Sequence, residues 1–203
     1  PGDAVSLRMI PDEVSVIAGT RQNFEVEAED AFGNTWTPTG PMWEVRGADD
    51  TFGDVDNPVQ EGPVGLIDDQ GMLRAETTTG DFIGNVKVSF QEQAAFADVY
   101  IEPDAPSSVT ITPADETLIP NQIKSFEATI QDQYGNLISD VEPSFEVLAD
   151  AGVITDSGLF TATDRVGEYP DAITAYATPT VSGTASVTIV NSAPARIEID
   201  PES

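Results

Sequence analysis

The chain has 203 residues, with 36 Asp and Glu against 8 Lys and Arg, a formal net charge of −28, no Cys and no His. These counts exclude disulfides, thiol nucleophiles, a Ser-His-Asp triad and zinc held by thiolate or imidazole. A surface this acidic repels phosphate backbones and anionic lipid, and no apolar run in the sequence reaches the roughly 18–20 residues of a spanning helix, so we expect neither nucleic-acid partners nor membrane insertion.

The composition favours a folded protein in a salty environment. A hydrophobic fraction of 39% with nine Phe argues against disorder. Lys87 and Lys124 are the only lysines, and acid excess with few lysines is typical of proteins whose self-repulsion is screened by salt or calcium, as in a halophile. The repeat pattern begins and ends midway, so we expect a piece of a longer protein, and we expect no signal peptide at Pro1.

Short strands are predicted in chain order throughout the sequence. Apolar residues alternate with polar ones, which is the period of a half-buried strand. The alternating runs are Val5–Met9, Phe24–Ala28, Val86–Phe90, Ala97–Ile101, Val109–Ile111, Phe126–Ile130, Ile173–Ala177 and Ala185–Ile189. Glycine-containing turn signals separate them, and no stretch keeps helical spacing. About seven strands per ~90–100 residues predict an antiparallel sandwich.

The sequence repeats itself. At an offset of 102 residues, Phe24-Glu25 recurs as Phe126-Glu127 and Trp43-Glu44-Val45 as Phe145-Glu146-Val147. Further along the offset falls to 87, which places an acidic insertion at about 46–64 in the first copy. The predicted domains are residues 1–104 with this insertion, residues 105–193, and residues 194–203 as the first strand of a truncated third repeat. The links between copies are short and contain proline, which favours stiffness.

Three segments carry a resemblance to a known family. They are "GLIDDQGMLRA" (65–75), "VTITPADETLIPNQIKSFEATIQDQYGN" (109–136) and "GVITDSGLFTA" (152–162). They resemble the bacterial immunoglobulin-like (Big) repeats of invasin- and intimin-type adhesins and S-layer proteins. The resemblance implies an all-β chain of two tandem immunoglobulin-like antiparallel β-sandwiches in an elongated arrangement.

The same resemblance implies a function and a location. Such repeats serve as spacers, stalks or lattice modules of proteins that are extracellular, on the cell surface or secreted. Their implied partners are the neighbouring repeats of the same protein, together with a surface glycan or protein receptor. The resemblance supplies no catalytic residues, so an enzyme is not expected.

Two repeated loops contain candidate metal ligands. Each places an Asp three residues before a Gly-Asn pair, which is typical of an Asx turn between strands. The alternative is a Ca²⁺ site at the domain end, because carboxylate and amide oxygens are the ligands that Ca²⁺ prefers. The residues concerned are Asp30, Asn34, Asp132 and Asn136, with the linker acids Glu102 and Asp104.

The insertion contains a second acidic cluster, formed by Asp49, Asp50, Asp54, Asp56 and Asn57. Hard oxygen ligands at alternating positions are what a Ca²⁺ loop offers, although the spacing departs from the EF-hand pattern. The cluster is therefore either a solvated acidic loop, a calcium loop or a loop that recognises a partner.

Aromatic residues suggest an alternative function. Trp43 fits the buried position on a central sandwich strand, whereas Trp36 follows a turn and is a candidate platform for a sugar or a packing partner of the insertion. In the alternative, the chain is a carbohydrate- or protein-binding module that uses Trp36 and residues 46–64. Lys87 alternates with buried valines and is expected to point outward.

Overall fold

The computed structural model describes residues 2–53 and 57–193. The predicted third-repeat strand at 194–203 lies outside these residues. The chain divides into two compact units, Pro1–Asp104 and Ala105–Ser203. The described part of both is built from strands and connecting loops. Within it, no helix is long and apolar enough to cross a membrane.

The first unit forms three sheets. Its strands are β1 (Ala4–Ile10), β2 (Glu13–Ile17), β3 (Arg21–Asn23), β4 (Glu25–Asp30), β5 (Thr35–Trp36), β6 (Met42–Val45), β7 (Glu61–Gly62), β8 (Gly65–Ile67), β9 (Met72–Ala75), β10 (Gly80–Phe90) and β11 (Gln93–Glu102). The strand orders are β1-β4-β5, β2-β11-β10-β6 and β3-β9-β8-β7.

The second unit repeats this arrangement. Its strands are β12 (Ser108–Thr112), β13 (Asp115–Leu118), β14 (Ile123–Ser125), β15 (Glu127–Gln131), β16 (Leu137–Ile138), β17 (Ser144–Val147), β18 (Gly152–Ile154), β19 (Leu159–Ala162), β20 (Gly167–Thr178) and β21 (Val181–Ile189). The orders are β12-β15-β16, β13-β21-β20-β17 and β14-β19-β18. The sheets match those of the first unit except that β7, which belongs to the insertion, has no counterpart among the described strands. The predicted all-β fold of two immunoglobulin-like sandwiches is confirmed.

One detail differs from a purely antiparallel sandwich. β2 runs parallel to β11, and β13 runs parallel to β21. The cause lies at Pro11 and Pro113, which follow β1 and β12. Proline has no N–H to donate to a ladder, so the first strand of each unit ends there, and the chain continues in the other sheet.

Each unit has its own apolar core, filled from alternate strand positions. Phe24, Trp43 and Leu73 are buried in the first core. Phe126 and Phe160 are buried in the second, where their rings meet edge to face at a centroid distance of 5.9 Å. Such pairs add about 0.5–1.5 kcal/mol beyond the area they bury. The repeated aromatic-Glu pairs at 24–25 and 126–127 therefore mark the same inward-then-outward step in both sandwiches.

A repeated glycine fits beneath the core aromatics. Gly71 and Gly158 have φ angles of +80° and +78°, which favour glycine. A Cβ on Gly158 would lie 2.1 Å from the carbonyl oxygen of Phe126, and one on Gly71 would lie 2.8 Å from Cζ2 of Trp43. The turn thus has no room for a side chain in either unit.

Candidate functional site

The insertion of the first unit packs on the outer face of the sheet β2-β11-β10-β6. Glu44 on β6 lies opposite Lys87 on β10, which lies opposite Phe96 on β11. The ring of Phe52, from the insertion, lies 5.8 Å from the Phe96 ring and 5.2 Å from the Lys87 Nζ. The alternation of residues along these strands predicts that this face is exposed to solvent, but Phe52 packs on part of it.

The covered face contains an ion pair. Lys87 Nζ donates to Glu44 Oε2 at 2.7 Å, and the Glu44 side chain is 0% exposed while that of Lys87 is 19% exposed. Glu44 Oε1 is buried and has no hydrogen-bond partner in the part of the chain that the structure describes. In such a site each charge depends on the other, because removing either leaves its partner desolvated and uncompensated.

Arg46 ties the insertion to this face. Its guanidinium carbon lies 4.9 Å from the centroid of the Phe52 ring, and its Nη1 donates to the backbone oxygen of Asp50 at 3.2 Å. The cation therefore lies against an aromatic face while holding the loop backbone. It also forms an ion pair with the Asp50 carboxylate at 3.4 Å, where Asp50 is 86% exposed and the pair contributes little.

Backbone hydrogen bonds fix the C-terminal half of the insertion. The Val45 amide donates to the Val59 carbonyl at 2.8 Å, and the Ile67 amide donates to the Gln60 carbonyl at 2.8 Å. β7 then pairs with β8 and extends the sheet β3-β9-β8 by one strand. The insertion is thus attached both to the covered face and to a second sheet.

Of the aspartates in the insertion's acidic cluster, the structure describes Asp49 and Asp50. Asp49 accepts hydrogen bonds from the hydroxyl and the amide of Thr51, chiefly the hydroxyl, and these lower the pKa of Asp49. Asp50 adopts a left-handed backbone with φ of +63°. Asp54 and Asp56 lie outside the described residues, and Asn57 follows them as an exposed residue. The calcium-loop hypothesis stays a prediction.

The repeated Asp loops are Asx turns. Asp30 Oδ1 accepts from the amides of Phe32 and Asn34 at 2.9 and 3.1 Å, and Oδ2 accepts from the Gly2 amide. The Asn34 side-chain amide donates to both oxygens at 3.0 Å. The Asn34 side chain first, and then these backbone amides, hold the pKa of Asp30 far below its usual range.

The second loop has the same geometry. Asp132 Oδ1 accepts from the amides of Tyr134 and Asn136 at 2.8 and 2.9 Å, and Asn136 Nδ2 donates to Oδ2 at 2.8 Å. Of the two linker acids, Glu102 ends β11 and accepts the Ala18 amide through its backbone oxygen. Asp104 follows as a partly exposed residue. No group of three or more Asp and Glu side chains in residues 2–53 and 57–193 is arranged to hold a metal ion. Ca²⁺ binding at these loops also stays a prediction.

The tryptophans occupy different environments. Trp43 is buried in the first core with 3% exposure. Trp36 is half-buried on β5 opposite Ala28, at the position that the buried Ile138 fills in the second unit. Its role as a sugar platform stays a prediction.

Sequence reasoning missed the covered ion pair. Lys87 does point to the outer face as expected, but Phe52 and Arg46 cover that face. Nothing in the sequence indicated that Glu44 is buried, because the second unit has the same residue type at the equivalent position, and there Glu146 is exposed. An available signal was Phe52, the one aromatic residue in the acidic insertion.

Matched grooves also open beside the core aromatics. The groove in the first unit, about 430 Å³, is lined by Phe24, Pro41 and Trp43. The one in the second unit, about 610 Å³, is lined by Phe126, Pro143 and Phe145 at the equivalent positions. The grooves are therefore a property of the repeat.

Known structures share this fold. The chain is similar to the adhesin FdeC of Escherichia coli, with a TM-score of 0.53 and 19% identity over 94% of this chain and 65% of that chain. It is also similar to the S-layer protein SbsC, with a TM-score of 0.43 and 16% identity over 95% of this chain and 29% of that chain.

A third similar structure is the adhesin InvE of Yersinia pseudotuberculosis, with a TM-score of 0.33 and 16% identity over 90% of this chain and 58% of that chain. This chain thus spans less than two thirds of the length of each of the three. No protein-family model matches the sequence, and no curated protein matches it. At these identities the likeness to FdeC shows the β-sandwich fold.

Proposed function

We propose that this chain is a spacer segment of an extracellular cell-surface protein, of the adhesin or S-layer type, whose sandwiches act as rigid beads. The observation that carries the proposal is the duplication of one complete sandwich, each copy with its own closed apolar core. A unit with its own core folds and holds its shape whether or not its neighbours are present. Repetition of such units determines the length of the protein and does not by itself build a reactive site.

The sequence between the cores supports the same role. Pro103-Asp104-Ala105-Pro106 is short and contains two prolines, and proline restricts the backbone to extended conformations. The similarity to adhesin and S-layer structures gives the proposal its cellular setting. The proposal assigns no catalytic residue to either unit.

Location and spacing provide the test. An antibody against residues 105–193 should label intact, non-permeabilised cells that express the full-length protein. Inserting a second copy of 105–193 in tandem should move an epitope tag at the outer end of the protein farther from the cell surface without loss of surface display. Labelling only after permeabilisation, or an unchanged tag distance in displayed protein, would contradict the proposal.

Calcium is a secondary part of the proposal. We infer that Ca²⁺ orders the insertion or stiffens the loops at the ends of the units, because both regions are rich in carboxylate and amide oxygens. The melting temperature and scattering profile of the chain should then differ between chelator and millimolar Ca²⁺. Identical values in the two conditions would remove calcium from the proposal and leave the spacer role intact.

A further inference from the structure

In the first unit β3 and β4 follow each other with only Phe24 between them, and we call this stretch, residues 21–30, the strand line. Its outward-facing residues separate positive from negative charge. Along β3 and β4, even-numbered residues such as Phe24 point into the core, and odd-numbered residues point outward. The outward residues are Arg21, Asn23, Glu25, Glu27 and Glu29. The line is therefore cationic at the β3 end and anionic along β4.

The positive end is a pair of arginines. Arg21 lies directly opposite Arg74 on β9, and both side chains are exposed. Like charges at directly opposed positions destabilise a sheet, and acids outnumber cations 36 to 8 in this chain. Of the other five described cations, four form an ion pair with an Asp or Glu and Arg8 does not; the four are Arg46, Lys87, Lys124 and Arg165.

Neither the Arg21 nor the Arg74 side chain has an ion-pair or hydrogen-bond partner within residues 2–53 and 57–193. The next residue across the sheet from Arg74 is Leu66, which is 46% exposed. Two arginines without an acidic partner among the described residues thus lie at directly opposed strand positions. Guanidinium groups are suited to bidentate pairing with carboxylates.

The negative end offers carboxylates at strand spacing. Glu25, Glu27 and Glu29 repeat every second residue, about 7 Å apart. Arg8 on β1 lies opposite Glu27, so this end keeps an excess of negative charge. The centres of the two ends, near Arg21 and Glu27, are separated by about 20 Å along the strand.

The matched surface of the second unit lacks the arginine pair and keeps only one of the three glutamates, because Glu127 takes the place of Glu25. Ile123 and Thr161 take the places of Arg21 and Arg74 and face each other in the same register. Thr129 and Gln131 take the places of Glu27 and Glu29. The charge separation is therefore a property of the first unit and not of the fold.

We propose that this dipolar strand line is a self-association surface that binds a second copy of this chain in antiparallel orientation. With a two-fold axis near position 24, Arg21 and Arg74 of one copy face Glu25 and Glu27 of the other. By the same symmetry, the two glutamates of the first copy face the two arginines of the second. Such an isologous contact pairs each end with its opposite.

The charge of the whole chain makes this orientation selective. With a net charge of −28, other approaches bring acidic faces together, and like-charge juxtaposition disfavours them. Exposed ion pairs contribute little energy each, so the association is weak and depends on salt. The contact adds lateral pairing to the spacer role and does not depend on it, because it forms in solution.

Analytical ultracentrifugation and amide chemical shifts across a dilution series at about 0.15 M salt test the proposal. Wild-type protein should show concentration-dependent shifts confined to β3, β4 and β9. The double variant Arg21→Ser/Arg74→Ser should weaken association at least tenfold. Its matched control is Ile123→Glu/Thr161→Glu, which lowers the net charge by the same two units at the equivalent positions of the second unit and should leave association unchanged.

A charge swap makes the test specific. Arg21→Glu/Arg74→Glu alone should abolish association, and adding Glu25→Arg/Glu27→Arg should restore it, because the two ends are then exchanged. Unfolding midpoints of all variants check that they are folded. The proposal is overturned if wild-type protein shows no shifts in these strands, or if the double variant associates like the control. Polygalacturonate, a polymer of carboxylates, tests the alternative that the arginine pair binds an acidic sugar. Its binding to the arginine pair while the protein stays monomeric would also overturn the proposal.

Discussion

The outer faces of the sheets β2-β11-β10-β6 and β13-β21-β20-β17 have the same register but different environments. In the first unit Glu44, Lys87 and Phe96 lie in a row beneath Phe52. In the second unit the same row is Glu146, Thr174 and Thr184, and Glu146 is exposed. The insertion partly covers this sheet face in the first unit and buries Glu44, while Phe96 stays 49% exposed.

This difference shows that a loop can change the environment of a residue, and so its contribution to stability, without changing its position on the strand. Glu44 and Glu146 occupy equivalent positions on strands β6 and β17. Burial beneath Phe52 makes Glu44 dependent on the lysine opposite it, whereas Glu146 has water on its side of the sheet. Four substitutions, from the largest expected effect to the smallest, test where the units differ and where they agree.

Lys87→Met should have the largest effect. It leaves the Glu44 carboxylate buried without its ion-pair partner, and breaking a buried pair in this way costs about 3–5 kcal/mol. Chemical unfolding followed by Trp fluorescence should report the loss, because both tryptophans are in the first unit.

Two controls separate lost charge pairing from altered packing. Thr174→Met, at the equivalent position of the second unit, should change the unfolding free energy of that unit by less than about 0.5 kcal/mol. Calorimetry measures it, because both tryptophans are in the first unit. Lys87→Met/Glu44→Leu should recover most of the loss, since an apolar replacement of both partners is often neutral. A double variant as unstable as the single one would contradict the ion-pair account.

Gly158→Ala tests a feature that the units share. It should cost about 2–4 kcal/mol, because alanine is disfavoured at this φ and its Cβ meets the Phe126 carbonyl oxygen. Gly135→Ala is the matched control, with φ of +86° and nothing within 4 Å of the added Cβ, and should cost only about 1–2 kcal/mol. Equal losses in calorimetry would show that the turn has room for a side chain.

Phe52→Ala should destabilise the first unit by about 1–2 kcal/mol, through loss of the Phe96 ring contact and of the Arg46 and Lys87 contacts. Hydrogen exchange should also rise at Lys87 and its neighbours. Phe32→Ala, at a ring that is 88% exposed, should leave the melting temperature unchanged. The two variants behaving alike would mean that Phe52 does not cover the sheet.

Asp30→Asn should change how the stability of the first unit depends on pH. Because the folded-state pKa of Asp30 is lowered, its charge stabilises the fold fully above the unfolded pKa of about 4, and this contribution is lost as the pH falls below that value. The urea midpoint of wild-type protein should therefore fall more between pH 5 and pH 2.5 than that of the variant. Parallel pH profiles would contradict this assignment.

The sequence predicted the sandwiches because their information is local and repeated. Alternation at Phe24, Val26 and Ala28 recurs at Phe126, Ala128 and Ile130, and both copies fold as the pattern indicates. The parallel pairing of β2 with β11 could not be predicted, because the alternation of apolar residues in a strand does not depend on which strand it pairs with in the sheet. Phe52 was missed for a related reason, since an insertion without a counterpart offers no second copy for comparison.

The parallel pairing of β2 with β11 has a mechanical consequence. In the first unit the second strand, β2, and the final strand, β11, lie side by side and run in the same direction, paired from Glu13 opposite Asp98 to Ile17 opposite Glu102. When the two chain ends are pulled apart, these strands slide past each other, and their hydrogen bonds carry the load together instead of opening one by one. The second unit has the same arrangement between β13 and β21, so tension along the chain meets a shear-loaded clamp in each repeat.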